Sequence, residues 1–118
     1  MHEVAPIAFA TEPQPGAAVE VRVNFGIFAG RDVTNAEIDE LAQLLLPEVP
    51  QVSIVAEERH AIDREAEASV HQVRIEIADE ALPAETDAAL LGARVVALAE
   101  RWADSCISDR HAEVSEGS

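Results

Sequence analysis

The sequence predicts an α+β fold, a ferredoxin-like two-layer sandwich in which two helices pack on one face of an antiparallel sheet. Period-two alternation of apolar and polar residues marks three strands, and apolar residues at spacings of three and four mark two helices. Their order, β-α-β-β-α, is that of a split β-α-β unit followed by a helix. The predicted elements are strand 19–28, helix 35–46, strands 52–62 and 69–78, and helix 84–105.

The N-terminal residues 1–18 are expected to form an arm or linker, because Pro and Gly interrupt them repeatedly. Within this arm, residues 4–10 could form a short edge strand. Residues 19–108 make up a single α+β domain, and the polar residues 109–118 are expected to be a disordered tail. The usual last strand of the fold has no counterpart in the tail, so we expect this strand to be missing or to be supplied by the N-terminus or a partner.

The first helix carries the clearest local signal in the chain. Thr34 is suited to the N-cap, and Glu37 three residues later completes a capping box. Pro47 and Pro50 then end the helix before the next strand begins.

Strands 52–62 and 69–78 are predicted to pair as one long hairpin, in which 69–78 lies between 52–62 and 19–28. Both strands must turn their apolar residues to the same core, which fixes the register to steps of two residues. The central choice places His60 opposite His71, and a shift by two makes these histidines diagonal neighbours. The connection near 63–67 has no Asn-Gly or Gly-Gly pair, so its length is not determined.

The formal net charge of −15, with 23 acidic and 8 basic residues, argues against nucleic acid and anionic membrane surfaces as partners. All the basic residues are Arg, which is compatible with genomic bias or with adaptation to high salt. The single cysteine excludes an intrachain disulfide. No run approaches the ~20 apolar residues of a membrane span, and no secretion signal is apparent. We therefore expect a cytoplasmic protein.

The topology brings several polar residues to one pole of the domain, among them Arg31, Asp32, His60 and His71, and a site would be expected there. His60, His71 and Glu58 are the candidate catalytic residues, with Asp104 as another possible orienting carboxylate. Two imidazoles on facing strands could perform acid–base chemistry or hold a metal ion. The alternative is that both histidines are ordinary half-buried residues at the margin of the core.

Two arginines are candidate ligand-binding residues. Arg31 precedes a helix N-terminus, where anions can bind, and Arg74 lies on the polar face of the sheet. A surface position for Arg31 and cross-strand ion pairs for Arg74 are the simpler interpretations. Cys106 is expected to be an unreactive packing residue, because it follows the predicted end of the second helix and the helix dipole there raises the pKa of a thiol.

No nucleotide-binding loop, paired-cysteine motif or zinc-protease motif occurs in the sequence, and the absence of Lys excludes Schiff-base chemistry. No cofactor or metal is expected. The sequence therefore predicts a small non-enzymatic interaction or small-ligand-binding domain that self-associates through its sheet. A homo-oligomer, or a protein partner bound at the sheet edge or face, is expected. The alternative is an enzyme that uses the histidine pair at the hairpin tip.

Overall fold

A computed structural model describes residues 6–29, 31–62, 67–82 and 85–116; for 27, 58–62, 67–70 and 109–116 it describes the backbone alone. The fold is α+β. Its elements in chain order are β1 (Ala8–Thr11), β2 (Ala17–Val23), α1 (Phe25–Ala29), α2 (Asn35–Leu45), β3 (Ser53–Ile62), β4 (Glu67–Ala78), a 3₁₀ turn (Asp79–Ala81) and α3 (Ala88–Glu116).

The four strands form one antiparallel sheet in the order β1-β2-β4-β3. The prediction that strand 69–78 lies between strands 52–62 and 19–28 is therefore confirmed, because β4 lies between β3 and β2. The N-terminal segment supplies the fourth strand, because Ala8–Thr11 pairs with the outer edge of β2. The division into 1–18, 19–108 and 109–118 stays a prediction, although β1 draws part of the arm into the sheet.

The hydrophobic core lies between the sheet and the helices. Alternate residues of β2 and β4 point into it, and the buried faces of α2 and α3 close it from above. The core residues are Ala8, Val19, Val21, Val23, Phe25, Leu41, Leu45, Val49, Val73, Ile75, Ile77, Ala81, Leu91, Val95, Ala99, Trp102, Ala103 and Cys106. Trp102 also donates its indole N–H to the carbonyl of Glu37 at 2.8 Å, which ties α3 to the first turn of α2.

The first predicted helix is confirmed in its cap as well as its length. The Thr34 hydroxyl accepts from the Glu37 amide at 3.2 Å, and the Glu37 carboxylate accepts from the Thr34 amide at 2.9 Å. This reciprocal pair satisfies donors that the helix itself leaves free.

Three predicted boundaries are wrong. The strand predicted to reach residue 28 ends at Val23 and is followed by the short helix α1. The second helix begins at Ala88, because the Asp87 carboxylate accepts from the amides of Ala89 and Leu90 at 2.9 and 3.3 Å and so caps it. It continues to Glu116 instead of ending near 105. Between Ser105 and Gly117 the sequence has no Pro or Gly that would end the helix.

The face of the sheet that points away from the helices, called here the far face, carries connected polar side chains. Glu20 is only 3 % exposed, and its carboxylate accepts from the Thr11 hydroxyl at 2.6 Å. Arg22 lies 3.3 Å from Glu20 and 3.4 Å from Glu57, and Arg74 lies 3.1 Å from Glu57. These contacts cross all four strands, so the charges of the far face are largely paired within the chain.

Candidate functional site

A cleft of about 250 Å³ opens at one end of the helix layer, where α1 and the segment before α2 meet β3 and β4. We call it the His71 cleft. Its lining combines an aromatic ring and small aliphatic side chains with a few polar groups, which is a usual composition for a small-molecule site. The lining residues are Phe25, Asp32, Val33, Ala56, Glu57, His71, Gln72 and Val73.

Asn24 lies between the end of β2 and the start of α1, and its hydrogen bonds position α1 as one wall of the cleft. Its amide donates to the carbonyl of Ile7 at 2.7 Å and its side-chain N–H donates to the carbonyl of Pro6 at 2.9 Å. Its side-chain oxygen accepts from Gln72 at 2.6 Å. These bonds hold the chain where it leaves the sheet, and the next residue, Phe25, enters α1 and the core.

Gly26 allows α1 to pack directly on β4. A Cβ atom at this position would lie 2.9 Å from the Cβ of His71 and 3.0 Å from its carbonyl oxygen. Contacts this short do not occur between real side chains, so only glycine fits without displacement of the strand.

His71 and Asp32 form the polar end of the cleft. Nδ1 of His71 lies 3.2 Å from Oδ1 of Asp32, with the two side chains 43 % and 74 % exposed. An Nδ1–H that donates to this carboxylate would leave Nε2 free to accept a proton or a hydrogen bond from a bound molecule. Both residues belong to the polar pole predicted from the sequence, and the structure brings them together.

Arg31 contacts Phe25, one of the residues that line the cleft. Its guanidinium donates two hydrogen bonds to the Glu37 carboxylate, at 2.8 and 2.7 Å, and lies 5.3 Å above the centre of the Phe25 ring. The Arg31 guanidinium, above all, lowers the pKa of Glu37 from 4.5 to about 2. As a candidate ligand-binding residue Arg31 is thus already engaged by an acidic side chain.

Arg74 lies elsewhere. It is on the far face, 3.1 Å from Glu57 and 3.8 Å from Glu76, whereas His71 alternates to the helix side of the same strand. The structure does not bring the two candidate arginines into one site.

The predicted histidine pair falls partly outside the described residues. The side chains of His60 and Glu58 are not described, and only their backbone positions can be compared with the prediction. The register pairs Glu58 with His71 and His60 with Ser69. The central register, with His60 opposite His71, is therefore wrong by two residues, and the two histidines are diagonal positions. Among the residues whose side chains are described, no group of three or more His, Cys, Asp or Glu could hold a metal ion.

Cys106 is buried in the core beside Glu37. Burial and the neighbouring Glu37 carboxylate raise the pKa of its thiol to about 12, because both disfavour the thiolate. The expected low reactivity is thus supported, but for a different reason: Cys106 lies within α3 and not near its end.

The cleft contains residues that sequence reasoning did not assign to a site. Phe25 lies within the segment predicted as strand 19–28, and Val33 directly precedes the predicted N-cap, Thr34. The only available signal was their proximity in sequence to Arg31 and Asp32.

Comparisons with protein-family models, with curated proteins and with solved structures find no match. Within the described part of the chain, no helix is long and apolar enough to cross a membrane.

Proposed function

We propose that this protein is a small non-enzymatic domain that binds a small molecule in the His71 cleft and self-associates through its sheet. The observation that carries the binding role is the cleft itself, in which apolar walls meet the Asp32–His71 pair. A volume of about 250 Å³ lies below the usual range for drug-sized ligands, so the ligand would be smaller.

The composition of the cleft favours binding over covalent catalysis. Its described lining includes no Ser, Thr, Cys or Lys side chain, so covalent catalysis there would have to use a carboxylate or His71 as the nucleophile. Cys106, the only thiol in the sequence, is buried, and its pKa is raised.

A ferredoxin-like arrangement is the finer fold assignment that we propose. In its support, β4 lies between β2 and β3, as the split β-α-β unit requires, and α2 and α3 follow β2 and β4 in the chain. On this interpretation β1 takes the place of the missing last strand.

Self-association through the sheet is supported by its edges more than by its faces. The far face has paired charges, whereas β3 is a ten-residue strand at the edge of the sheet.

The lone cysteine supports a reducing, cytoplasmic location, and the net charge of −15 supports the absence of nucleic-acid and membrane partners.

The binding role can be tested with two probes of equal ring size and opposite charge, benzylamine and phenylacetate, followed by amide chemical shifts in NMR. We expect benzylamine to shift the amides of Phe25, Val33 and Val73, because Asp32 and the net charge favour a cation. Phenylacetate should bind more weakly.

Matched variants make the test specific to the cleft. Ala56→Phe places a ring in the His71 cleft and should abolish the shifts, whereas Ala97→Phe adds the same bulk at an exposed position of α3 and should not. Shifts that persist in Ala56→Phe, or that map elsewhere on the chain, would contradict a ligand site in this cleft.

The second candidate is an enzyme in which His71 is an acid–base group, and the short Asp32–His71 contact favours it. Ring resonances of His60 and His71 should be followed against pH, with and without Zn²⁺. A Zn²⁺-dependent shift of both rings would favour this alternative. Independent titrations with no response to Zn²⁺ would count against it.

A further inference from the structure

Strand β3 has a partner on one side only. It pairs with β4 along its whole length, and no other strand of the described chain lies beside it. The opposite edge of the sheet is formed by β1, which has only four residues and pairs with β2 alone. Three successive apolar residues lie near the start of β3: Ile54 is half-buried, Val55 is 37 % exposed and Ala56 is exposed. A long edge strand with exposed apolar residues readily pairs with another strand.

We propose that β3 pairs antiparallel with β3 of a second copy, about a two-fold axis at Glu58, to form one continuous eight-stranded sheet. This inference rests on the self-association proposed above and specifies its surface and its partner. A two-fold axis makes the contact self-complementary and closes the assembly at a dimer.

The sequence of β3 favours this register over its neighbours. With the axis at Glu58, Ile54 lies opposite Ile62, Val55 opposite Ala61, and Glu57 opposite Arg59. Apolar positions are then opposite each other at both ends of the strand pair, and the opposite charges of Glu57 and Arg59 lie on either side of the axis, which are stabilising cross-strand combinations. Ala56 lies opposite His60, and only Glu58, at the axis, is opposite a like charge.

Moving the axis by one residue in either direction loses this match. An axis at Glu57 places Val55 opposite Arg59 and Ala56 opposite Glu58. An axis at Arg59 keeps one apolar pair, Ala56 with Ile62, and places Glu58 opposite His60. It also places Glu57 opposite Ala61 and Arg59 opposite itself, and it leaves Ile54 and Val55 without partners inside the ten-residue strand. With any of these axes, residues on the helix side of one copy lie opposite residues on the helix side of the other copy. The registers therefore differ only in their side-chain pairs.

Electrostatics give the proposed dimer a distinct salt dependence. Each copy has a formal charge of −15, and the two Glu58 residues face each other at the axis. Both effects oppose association, and both weaken when salt screens the charges. The dimer should therefore become tighter as the salt concentration rises.

The first experiment is sedimentation velocity of the full chain over a concentration series, at low salt and at ~1 M NaCl, where the Debye length is about 3 Å. We expect a monomer–dimer equilibrium that salt shifts toward the dimer. Val55→Asp should weaken the dimer about tenfold or more, because each copy would place a charge opposite Ala61. The variant should fold, since Val55 is partly exposed and lies opposite Arg74 of the same chain.

The matched control is Leu90→Asp, which makes the same change of charge on α3 at a side chain that is 70 % exposed. It should leave dimerisation within about twofold of the wild type. Glu58→Gln should tighten the dimer about two- to fivefold, because it removes the like charges at the axis.

Cross-linking tests the register. Glu58→Cys places two thiols opposite each other, so a short bis-maleimide should join the copies. Ser53→Cys places them about 34 Å apart, ten residues along the strand at ~3.4 Å each, and should not be joined. Cys106 is buried and has a raised pKa, so wild-type protein should not react.

The outcomes separate this inference from the proposed function. A chain that stays monomeric at millimolar concentration would overturn both the β3 pairing and self-association, and would leave the His71 cleft to its own test. A dimer that Val55→Asp does not weaken would overturn the β3 pairing alone. A dimer in which Ser53→Cys cross-links and Glu58→Cys does not would also overturn it.

Discussion

Replacing Glu37 by Gln should remove a defined part of the stability of the protein. The carboxylate of Glu37 receives two hydrogen bonds from Arg31 and one from the Thr34 amide. Gln has nearly the same shape and can still accept from Thr34 as part of a capping box. The substitution therefore removes mainly the charge that pairs with Arg31.

The magnitude follows from the pKa of Glu37, which is lowered from 4.5 to about 2. At about 1.4 kcal/mol per unit, this shift corresponds to ~3 kcal/mol as an upper limit. The pair is 15–20 % exposed, and solvent screens part of the interaction, so we expect a loss of about 1–2 kcal/mol. Because the folded-state pKa is depressed, this stability is complete above pH 4.5 and is lost as the pH falls toward 2.

Urea unfolding followed by the fluorescence of Trp102, the only Trp in the sequence and 2 % exposed, measures the free energy of unfolding. At neutral pH, Glu37→Gln should unfold at lower urea than the wild type, and the difference should shrink as the pH falls toward 2. The control Glu40→Gln, at an exposed position of α2, should change little. Equal stability of the wild type and Glu37→Gln at neutral pH, or a difference that does not depend on pH in this range, would refute the reasoning.

Further predictions concern packing, capping and thiol reactivity. Gly26→Ala should destabilise the fold by about 1–3 kcal/mol, because its Cβ would lie 2.9 Å from that of His71. Gly92 lies inside α3, and a Cβ atom there would meet nothing closer than 3.8 Å, so Gly92→Ala should stabilise the fold by ~0.5–1 kcal/mol. Equal effects of the two substitutions on the free energy of unfolding in urea would contradict this. Thr34→Ala should cost ~1 kcal/mol through loss of the cap, and an unchanged urea midpoint would argue against that cap. Cys106 should react with a thiol reagent only after unfolding, so rapid modification of the native chain would contradict its burial.

The elements that sequence reasoning predicted well are those whose signal is local. The alternation in β2 and β4 reflects one buried face, and the Thr34–Glu37 cap satisfies donors within one helical turn. Neither depends on residues distant in sequence.

The end of β2 could not be predicted, because the alternating pattern continues past it. Phe25 has the spacing of another inward-facing strand residue, yet it lies in α1. The deciding contacts are those of Asn24 with Pro6, Ile7 and Gln72, which are distant in sequence. Tertiary contacts thus override a local pattern at this position.

The hairpin register shows the same limit. The apolar pattern fixes which face each residue occupies, but it is unchanged by a shift of two residues. The pairing of Ile62 with Glu67 leaves four connecting residues, and the sequence has no turn motif that would select this length.

The candidate site was predictable only as a region. Topology alone brought Asp32 and His71 to one pole, because both follow from the order of the elements. The cleft between them is a space that the helices leave unfilled over the sheet. That Phe25 and Val33 line it depends on how the helices pack on the sheet, which the sequence pattern does not determine.

The contact between Gly26 and β4 has a consequence for the thermodynamics of any molecule that enters the cleft. The main chain of Gly26 packs on the main chain and the Cβ atom of His71, so no long rotatable side chain separates α1 from the strand. The preceding residue, Phe25, is held in the core by the same contact and by Trp102, whose ring centre lies 5.4 Å away. This wall is preorganised: little conformational entropy remains to be lost on that side when the cleft is filled. Calorimetry should accordingly find a smaller entropic penalty than an adaptable loop would impose.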